Sequence, residues 1–330
     1  MTGQTQLAQP MTADQQPDPV SLADIEAAHA RIADAVHDTP VLTSRLLDAH
    51  TRSTLFFKGE HLQRAGAFKA RGASNAVLGL PEAEAARGVA THSSGNHGAA
   101  LAMAAARRGI PAWIVMPENA PAVKRAAVAG YGATIVDCAP TLAAREETLA
   151  DVIDAHGAHV VHPYDDARVI AGQGTVALEL LRAVPDLDVI AAPVGGGGLL
   201  AGIAVAAKAL KPSIEVIGVE PAGADDAFRS FGLGELQPQT NPQTIADGLR
   251  TSLGVRNFAL IQRFVDTIVT VSEAAIVEAM RLQWTRMKAV VEPSGAVPFA
   301  GALEHGERFA GRRCGIVISG GNVDLDRLPW

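Results

Sequence analysis

Residues 189–200 read Val-Ile-Ala-Ala-Pro-Val-Gly-Gly-Gly-Gly-Leu-Leu, an apolar run of strand length followed by four consecutive glycines. The segment that follows, Leu199–Leu210, is Ala-rich and of helical length. A buried strand, a turn and a helix in this order are typical of parallel sheets covered by helices. Glycines let backbone N–H groups approach an anion at the helix N-terminus, which carries about half a positive charge. These residues therefore predict a phosphate-binding turn.

Comparable apolar runs recur along the chain, and Ala-rich segments of helical length separate them. They are Thr54–Phe57, Gly88–Thr91, Ala112–Met116, Thr134–Asp137, Ile214–Val219, Thr267–Val271 and Gly315–Ser319. Thr141 and Ser272 stand at the start of two helical segments, where a hydroxyl can cap free backbone N–H groups. Strands that alternate with helices predict an α/β fold of mostly parallel, twisted sheets flanked by helices.

Length and composition describe a folded chain with two lobes. The 330 residues are 48% hydrophobic and 19% charged, with a net charge of -7. A single hydrophobic core stops growing at roughly 250–300 residues, so we expect two lobes rather than one. The 28 Lys and Arg residues are outnumbered by 35 Asp and Glu and form no basic stripe. This argues against a nucleic-acid partner.

The sequence shows no targeting or membrane segment. Its first twenty residues are rich in Gln and Pro and lack the basic and apolar regions of a signal peptide. We therefore expect a disordered tail at residues 1–20 and a cytoplasmic location. The uncharged run Val189–Ala207 has the length of a membrane span, but Pro193 and four glycines interrupt it. Cys138 and Cys314 lack partners at zinc-ligand spacing, so we expect neither a disulfide framework nor a structural zinc.

A second chemical signal is Gly66-Ala67-Phe68-Lys69-Ala70-Arg71-Gly72-Ala73, which follows the strand Thr54–Phe57 and its turn. The chain has only six lysines, and this one lies beside Phe68 among small residues. A lysine removed from water loses its charge more easily, as an amine that attacks a carbonyl carbon requires. The alternative is an ordinary lysine on a helix surface.

A third signal is Ser93-Ser94-Gly95-Asn96-His97-Gly98, between the strand Gly88–Thr91 and the Ala-rich helix Ala99–Arg108. Small hydroxyls, an amide and free N–H groups at a helix start suit a substrate carboxylate. Ser94 and Asn96 equally suit a plain helix N-cap. A lone histidine is more often structural, so we do not assign His97 as a base.

The fourth signal is Ile316-Val317-Ile318-Ser319-Gly320-Gly321-Asn322, a buried strand that ends in a Ser-Gly-Gly turn. Such turns are common, so this one is weak alone. Ligands gather at the carboxyl ends of strands in open parallel sheets. A turn at such a position is therefore stronger evidence for a binding site than the same residues inside a helix.

Two cofactor classes fit the glycine turn. Gly196, Gly198 and Ala201 satisfy the G-x-G-x-x-A dinucleotide fingerprint, and Glu220 lies near the spacing of a ribose-binding acid. NAD binding stays open on these residues, although it leaves the other three signals without a role. A Walker-type loop is excluded because no Gly-Lys-Ser/Thr sequence follows.

Taken together and in this order, the four segments resemble the fold-type II pyridoxal-phosphate enzymes, specifically the threonine/serine dehydratase and serine racemase group. The resemblance spans nearly the whole chain, from Ile25 to Trp330. It implies a two-lobed α/β fold like that of the tryptophan synthase β subunit, with a mostly parallel sheet in each lobe. It further implies a large cofactor-binding domain at residues 21–87 and 160–330, a small mobile domain at residues 88–159, and a homodimer.

The resemblance also implies a role for individual residues. Lys69 is implied to bind pyridoxal 5′-phosphate covalently and to act in catalysis, with Phe68 beside the ring and Asn96 at its 3′-oxygen. Ser319 is implied to face the pyridine nitrogen. The residues implied to bind the phosphate are Gly195, Gly196, Gly197, Gly198 and Leu199. Those implied to hold the substrate are Ser93, Ser94, Gly95, Asn96 and His97, and Ser94 is also implied as a catalytic acid/base.

The segment from Glu220 to Asp226 resembles the divalent-cation site of the racemase-like branch. In that site Glu220, Asp226 and the carbonyl of Ala224 would supply oxygen ligands to Mg²⁺, Ca²⁺ or Mn²⁺. The alternative is a solvated acidic turn after a strand, since acidic side chains are usually exposed.

The implied reaction is the dehydration and deamination of a β-hydroxy amino acid to a 2-oxo acid and ammonia. Threonine, serine and 3-hydroxyaspartate are the candidate substrates. The alternatives are a serine racemase, for which Ser94 matches the acid/base opposite the lysine, an NAD-dependent dehydrogenase, and a catalytically silent ligand-binding protein. A dicarboxylate substrate would need a further cationic contact, which the sequence cannot place among 22 arginines.

Overall fold

The computed structural model describes residues 20–93, 95–120 and 122–330. Its strands are β1 (Val41–Leu42), β2 (Thr54–Gly59), β3 (Val89–His92), β4 (Ala112–Pro117), β5 (Thr134–Cys138), β6 (His159–Val160), β7 (Val189–Pro193), β8 (Glu215–Pro221), β9 (Thr267–Val271) and β10 (Arg313–Ile318). They form a six-stranded sheet in the order β1-β2-β10-β7-β8-β9 and a four-stranded sheet in the order β5-β4-β3-β6. All pairings are parallel except that of β1 with β2.

Helices follow most of the strands. They are α1 (Leu22–Ile32), α2 (Arg45–Thr51), α3 (Lys69–Leu78), α4 (Glu82–Ala85), α5 (Asn96–Arg108), α6 (Ala122–Gly130), α7 (Leu142–His156), α8 (Ala167–Ala183), α9 (Gly198–Leu210), α10 (Asp226–Leu233), α11 (Val255–Phe264), α12 (Glu273–Leu282) and α13 (Pro293–Glu304). Two mostly parallel sheets flanked by helices confirm the predicted fold class.

Alternate residues of β7 face opposite sides of the large sheet. Ile190 and Ala192 pack in a core that includes α1, α8, α9 and α11. Val189 and Ala191 pack in a second core that includes α12 and α13. Successive side chains of a strand point to opposite faces, so a strand covered on both faces must be apolar throughout. This explains the unbroken apolar run that precedes the glycines.

The predicted elements are present with ends shifted by a few residues. The run Thr267–Val271 coincides with β9. Thr141 and Ser272 cap α7 and α12, because each side-chain oxygen accepts a backbone N–H bond of 3.2 Å from the residue three positions later. The pattern does not predict β1 and β6, since a strand of two residues shows no periodicity.

The lobes can be related to the predicted domains. The strands of the smaller sheet lie within residues 89–160, and we propose that the small domain predicted at residues 88–159 is the lobe built on this sheet. Of the predicted tail at residues 1–20, only Val20 lies within the described part, where it is buried in the core of the larger lobe.

Two further sequence expectations concern the membrane and the cysteines. None of the described helices combines the length and the apolar composition that a bilayer span needs. Both cysteines are buried and free.

Candidate active site

The lysine segment and the Ser-Gly-Gly turn are held together by backbone hydrogen bonds. The Phe68 N–H donates to the Ser319 carbonyl at 3.0 Å, and the Gly321 N–H donates to the Gly66 carbonyl at 2.9 Å. The strand β2, which precedes the lysine segment, is the parallel neighbour of β10, so both chains leave the sheet at its carboxyl edge. The structure thus brings the second and fourth signals into one place.

Lys69 begins α3 and is partly buried. Its Nζ donates a 2.7 Å hydrogen bond to the Pro163 carbonyl and lies 5.1 Å from the centre of the Phe68 ring. No salt bridge joins it to an acidic side chain of the described residues. Burial lowers the pKa of Lys69 to about 8. The uncharged, nucleophilic amine is therefore much more abundant near neutral pH than for an exposed lysine.

The glycine turn lies between β7 and α9, as predicted. Gly197 has a φ of +90°, and a Cβ there would lie 2.5 Å from Leu253 Cδ1. A side chain is therefore excluded by conformation and by space. The turn ends at the N-terminus of α9, which Gly198 begins and where Leu199 is buried. Free backbone N–H groups and the helix dipole at such a turn are the features that bind anions in proteins.

Tyr164 connects this turn to the lysine. A Cβ on Gly196 would lie 2.3 Å from Tyr164 Cγ, so the ring rests on the turn. The Lys69 Nζ lies 6.0 Å from the centre of the same ring. The amine and the glycine turn are thus neighbours. Tyr164 is not among the predicted site residues, although its position shortly after β6, at the carboxyl end of a strand, is a usable signal.

Asn96 is the first residue of α5, and the residue before it, Gly95, is the N-cap without a side-chain cap bond. The Asn96 Nδ2 donates to Glu292 Oε1 at 2.8 Å, and its Oδ1 accepts from Asn322 Nδ2 at 2.9 Å. The plain N-cap alternative for Asn96 is therefore wrong, because its side chain is committed to residues far along the chain. The third signal joins the fourth through these bonds.

The rest of the predicted substrate loop surrounds Asn96. Ser93 Oγ accepts a 3.3 Å bond from the Gly95 N–H. His97 is buried, its Nε2 bonds the Val161 carbonyl at 3.0 Å, and burial lowers its pKa to about 3. A neutral ring that bonds a backbone carbonyl fits a structural histidine. The group of His97 that remains available to a substrate is then its backbone N–H. Ser94, predicted as a catalytic acid/base, lies outside the described residues.

Ser319 follows β10 and is buried. Its hydroxyl donates a long bond, 3.4 Å, to the Ser294 carbonyl at the start of α13. A hydroxyl is neutral and both donates and accepts, so it can accompany an uncharged ring nitrogen.

These residues fit pyridoxal phosphate. An amine with a lowered pKa, an anion-binding turn, an aromatic neighbour, an amide and a neutral hydroxyl are the groups that its aldehyde, phosphate, ring, 3′-oxygen and nitrogen require. We propose Lys69, the turn from Gly195 to Leu199, Phe68, Asn96 and Ser319 as the residues that hold it.

Two of the predicted metal ligands, Glu220 and Asp226, are buried close enough for their charges to interact. Glu220 is buried at the end of β8, and its carboxylate accepts N–H bonds from Ala227 and Phe228 at 3.1 and 2.8 Å. Asp226 is buried and accepts a 2.8 Å bond from the Leu253 N–H. Burial raises the pKa of Asp226 to about 6 and that of Glu220 well above its ordinary value. Two neighbouring buried carboxyls are the kind of hard oxygen ligands that suit a divalent cation.

The solvated-turn alternative is therefore wrong for these two side chains. Among the residues that the structure describes, no cluster of three or more His, Cys, Asp and Glu side chains could hold a metal. The candidate site depends on the Ala224 carbonyl as an additional ligand.

Comparison with known proteins identifies the class. Residues 32–320 match the family described as pyridoxal-phosphate dependent enzyme, and the chain belongs to this family. It is 50% identical over 307 residues to the beta-hydroxyaspartate dehydratase of Paracoccus denitrificans (strain Pd 1222), covering 93% of this chain and 98% of that protein. It is 48% identical over 313 residues to the serine racemase of Dictyostelium discoideum, covering 94% and 97%.

A solved structure of similar sequence supports the same family. The T.th. threonine deaminase superposes with a TM-score of 0.88 at 48% identity, covering 92% of this chain and 99% of that one. The predicted family and cofactor are confirmed, and the NAD alternative is wrong. Its best support, Glu220, is a buried carboxylate that binds the N-terminus of α10.

Proposed function

We propose that this protein is an ammonia-lyase that converts a β-hydroxy amino acid into a 2-oxo acid and ammonia. The observation that carries the proposal is the meeting of the Lys69 amine, the glycine turn and the Ser319 hydroxyl at the carboxyl edge of one sheet. The names of the similar dehydratase and threonine deaminase support the reaction type. The candidate substrates are 3-hydroxyaspartate, serine and threonine.

The lysine is the base of the proposed reaction. Bound pyridoxal phosphate supplies an electron-withdrawing ring that makes the Cα–H bond of the amino acid acidic. The Lys69 amine removes that proton, and its pKa near 8 lets it do so near neutral pH. The resulting ammonium can then protonate the β-hydroxyl as it leaves, so water departs. Hydrolysis of what remains yields the 2-oxo acid and ammonia.

Ser319 selects among the reactions that this cofactor class performs. A neutral hydroxyl need not keep the ring nitrogen protonated, whereas a carboxylate would. Ser319 would thereby leave the ring less able to stabilise a full negative charge at Cα, which would favour prompt loss of the β-hydroxyl. This supports elimination over transamination.

The substrate carboxylate is proposed to bind at the start of α5. The residues proposed to bind it are Ser93, Ser94, Gly95, Asn96 and His97, since the free N–H groups of a helix N-terminus bind anions. Because His97 directs its ring to Val161, we propose that it contributes through its backbone.

A dicarboxylate substrate finds a further cation in Arg145. This residue lies in the first turn of α7, close enough to His92 that its charge helps to lower the pKa of that histidine, after burial. His92 directly precedes the substrate loop. The Arg145 Nε is buried and has no hydrogen-bond partner among the described residues. A buried guanidinium N–H without a partner, close enough to affect His92, supports Arg145 as the contact for a second substrate carboxylate.

A substrate panel tests the proposed function. The protein with pyridoxal phosphate is supplied with L- and D-serine, L-threonine and the 3-hydroxyaspartate isomers, and 2-oxo acid and ammonia are measured together. We expect equal amounts of both products, with the highest kcat/KM for a 3-hydroxyaspartate isomer because of Arg145. Absence of both products from every substrate would contradict the proposal.

Arg145 provides a second test. We expect Arg145→Met to lower kcat/KM for 3-hydroxyaspartate by about tenfold to a hundredfold, the usual contribution of a hydrogen bond to a charged group. The effect on serine should stay below about threefold, since serine lacks the second carboxylate. Arg107→Met, on the exposed end of α5, is the control. Equal losses of kcat/KM on both substrates would show that Arg145 does not bind the second carboxylate.

Amino acid racemisation is the second candidate function, because the similar Dictyostelium protein is named a serine racemase. Ser94 would then return a proton to the face of Cα opposite Lys69. Chiral chromatography of serine after incubation distinguishes racemisation from elimination. Racemisation interconverts L- and D-serine without releasing ammonia.

We also propose that Glu220, Asp226 and the Ala224 carbonyl bind Mg²⁺, Ca²⁺ or Mn²⁺. A ligand that binds only the folded state at a hundred times its Kd stabilises by about 2.7 kcal/mol. We therefore expect Mg²⁺ to raise the Tm of EDTA-treated protein by several degrees. The shift should vanish in Asp226→Asn and persist in Asp225→Asn, an adjacent, partly exposed acid paired with Arg229. No shift with any of the three ions argues against the site.

The chain is further proposed to act as a homodimer in the cytoplasm. The family resemblance supports the dimer. Sedimentation equilibrium of the purified holoenzyme measures the assembly.

A further inference from the structure

Glu292 is a buried acid next to the site that the proposed reaction does not use. It precedes α13 as its N-cap residue, yet its side chain makes no cap bond to that helix. Its backbone N–H donates to the Gly320 carbonyl at 3.1 Å, which fixes it against the Ser-Gly-Gly turn. Its side chain instead accepts the hydrogen bond from Asn96. The backbone carbonyl of Glu292 accepts the first N–H bonds of α13, from Gly295 and Ala296, so its carboxyl is free to contact Asn96.

The turn is shaped to admit this carboxyl. A Cβ on Gly320 would lie 2.2 Å from Glu292 Oε1, so any other residue would displace the oxygen. Only a glycine lets Glu292 approach the turn this closely.

The hydrogen bonds around Asn96 fix which way its amide faces. Asn322 Nδ2 donates to the Ala65 carbonyl at 2.7 Å, and a carbonyl can only accept, so the nitrogen of Asn322 must face it. The same nitrogen donates its second hydrogen to Asn96, which must therefore present its oxygen. The Asn96 nitrogen then faces Glu292.

This orientation leaves one group of Asn96 free. Its Nδ2 carries two hydrogens, and Glu292 accepts one of them. The other is available to an acceptor in the site.

We propose that Glu292 and Asn322 are positioning residues, which hold the Asn96 amide so that one N–H is free for the ring oxygen of pyridoxal phosphate, and that Glu292 does this as a neutral acid. The inference rests on the contact proposed above between Asn96 and that oxygen.

The surroundings of Glu292 favour the neutral form. No salt bridge joins it to a cation of the described residues, and burial raises its pKa to about 8. Asp247 also raises this pKa, whereas the hydrogen bond from Asn96, the charge of Lys124 of α6 and a hydrogen bond from the Asn322 backbone N–H lower it without offsetting the effect of burial. Asp247 and Lys124 form an ion pair with each other. A carboxylate beside the anionic ring oxygen would be repelled, so cofactor affinity should fall relative to that of Glu292→Gln as the pH rises through about 8, a comparison in which the titration of Lys69 is common to both proteins.

Cofactor affinity of the purified chain, not turnover, tests this inference. We expect Glu292→Ala and Asn322→Ala each to weaken pyridoxal phosphate binding about tenfold, and Glu292→Gln, which mimics the neutral acid, to stay within about twofold of wild type at pH 7. Glu278→Gln on the exposed face of α12 is the charge-matched control. A loss in Glu292→Gln as large as in Glu292→Ala would overturn the proposal.

A double-mutant comparison separates positioning from general stability. If Glu292 acts through Asn96, then Glu292→Ala added to Asn96→Ala should weaken binding no further. The same tenfold loss on both backgrounds would overturn the proposal. Between pH 7 and 9 the wild type should lose affinity relative to Glu292→Gln, and a constant ratio would refute the neutral acid. Glu292→Gln and Asn322→Ala keep the test decisive if Glu292→Ala does not fold. If the variants show the expected cofactor affinities but the wild type forms no product, the lyase proposal is contradicted and the positioning inference is not.

Discussion

Replacing Lys69 with alanine is expected to lower turnover by roughly a thousandfold or more and to abolish covalent attachment of the cofactor. A positioned general base alone contributes about 10²–10⁴-fold to a rate, and this residue is also proposed to bind the cofactor covalently. The two losses have one cause, because the same nitrogen performs both tasks. Product formation and the visible absorbance of the protein after dialysis measure them.

Two variants make the result specific. Lys69→Arg keeps the positive charge but not a titratable amine, since guanidinium stays protonated in proteins, so we expect it to fail as completely as alanine. Lys211→Ala removes a lysine whose Nζ bonds the Leu187 carbonyl at the far end of the large sheet, and it should retain activity. The glycine turn is intact in the lysine variants, so they should still bind the phosphate of the cofactor reversibly. Near-normal turnover in Lys69→Ala would remove the basis of the proposed mechanism.

The sequence could predict which segments meet because of a rule about sheets. The strands β2, β7 and β10 are parallel neighbours or near neighbours in the large sheet, and their carboxyl ends share one edge. Residues that follow them, such as Lys69, Gly195 and Ser319, must then lie close together. The strand positions themselves follow from apolar runs covered on both faces.

Side-chain partners distant in sequence could not be predicted in this way. Asn96 and Glu292 are separated by 196 positions, and no local pattern connects an amide at one helix start with an acid before another. Tyr164 was not singled out because a single aromatic residue after a two-residue strand gives no periodic signal. Arg145 is one arginine among 22 until the fold places it beside His92.

The expectation that charged side chains are exposed also gives wrong predictions where a charged residue is buried. Most Lys, Arg, Asp and Glu side chains are exposed, which favoured a solvated turn at Glu220. The same rule gives no reason to expect that Arg71, two residues after the proposed catalytic lysine, is buried. Its side chain is 0% exposed and forms the centre of an ionic cluster.

This cluster joins three elements of the large lobe. Arg71 of α3 donates to both oxygens of Glu60 at 2.7 and 2.8 Å, and to both oxygens of Glu179 on α8 at 2.6 Å each. Lys58 of β2 donates to Glu179 at 2.6 Å. Two cations thus face two carboxylates, and a planar guanidinium satisfies both acids at once.

We expect Arg71→Met to lower the free energy of unfolding by about 3–5 kcal/mol, because removing one partner leaves a buried charge uncompensated. Glu60 loses its only salt bridge among the described residues, whereas Glu179 keeps Lys58. Since folded proteins are stable by about 5–15 kcal/mol, the loss is a large fraction of the total. The urea midpoint of the cofactor-free protein measures it, and Arg182→Met, exposed on α8, should change it little.

The double variant Arg71→Met/Glu60→Gln distinguishes an uncompensated charge from a lost packing contact. If the unpaired Glu60 carboxylate is the cause, neutralising it should recover part of the stability lost in Arg71→Met, although it removes a second polar group from the cluster. If lost packing is the cause, the double variant should be no more stable than the single one. A urea midpoint for Arg71→Met equal to that of the wild type would mean that the buried cluster does not stabilise the lobe that carries Lys69.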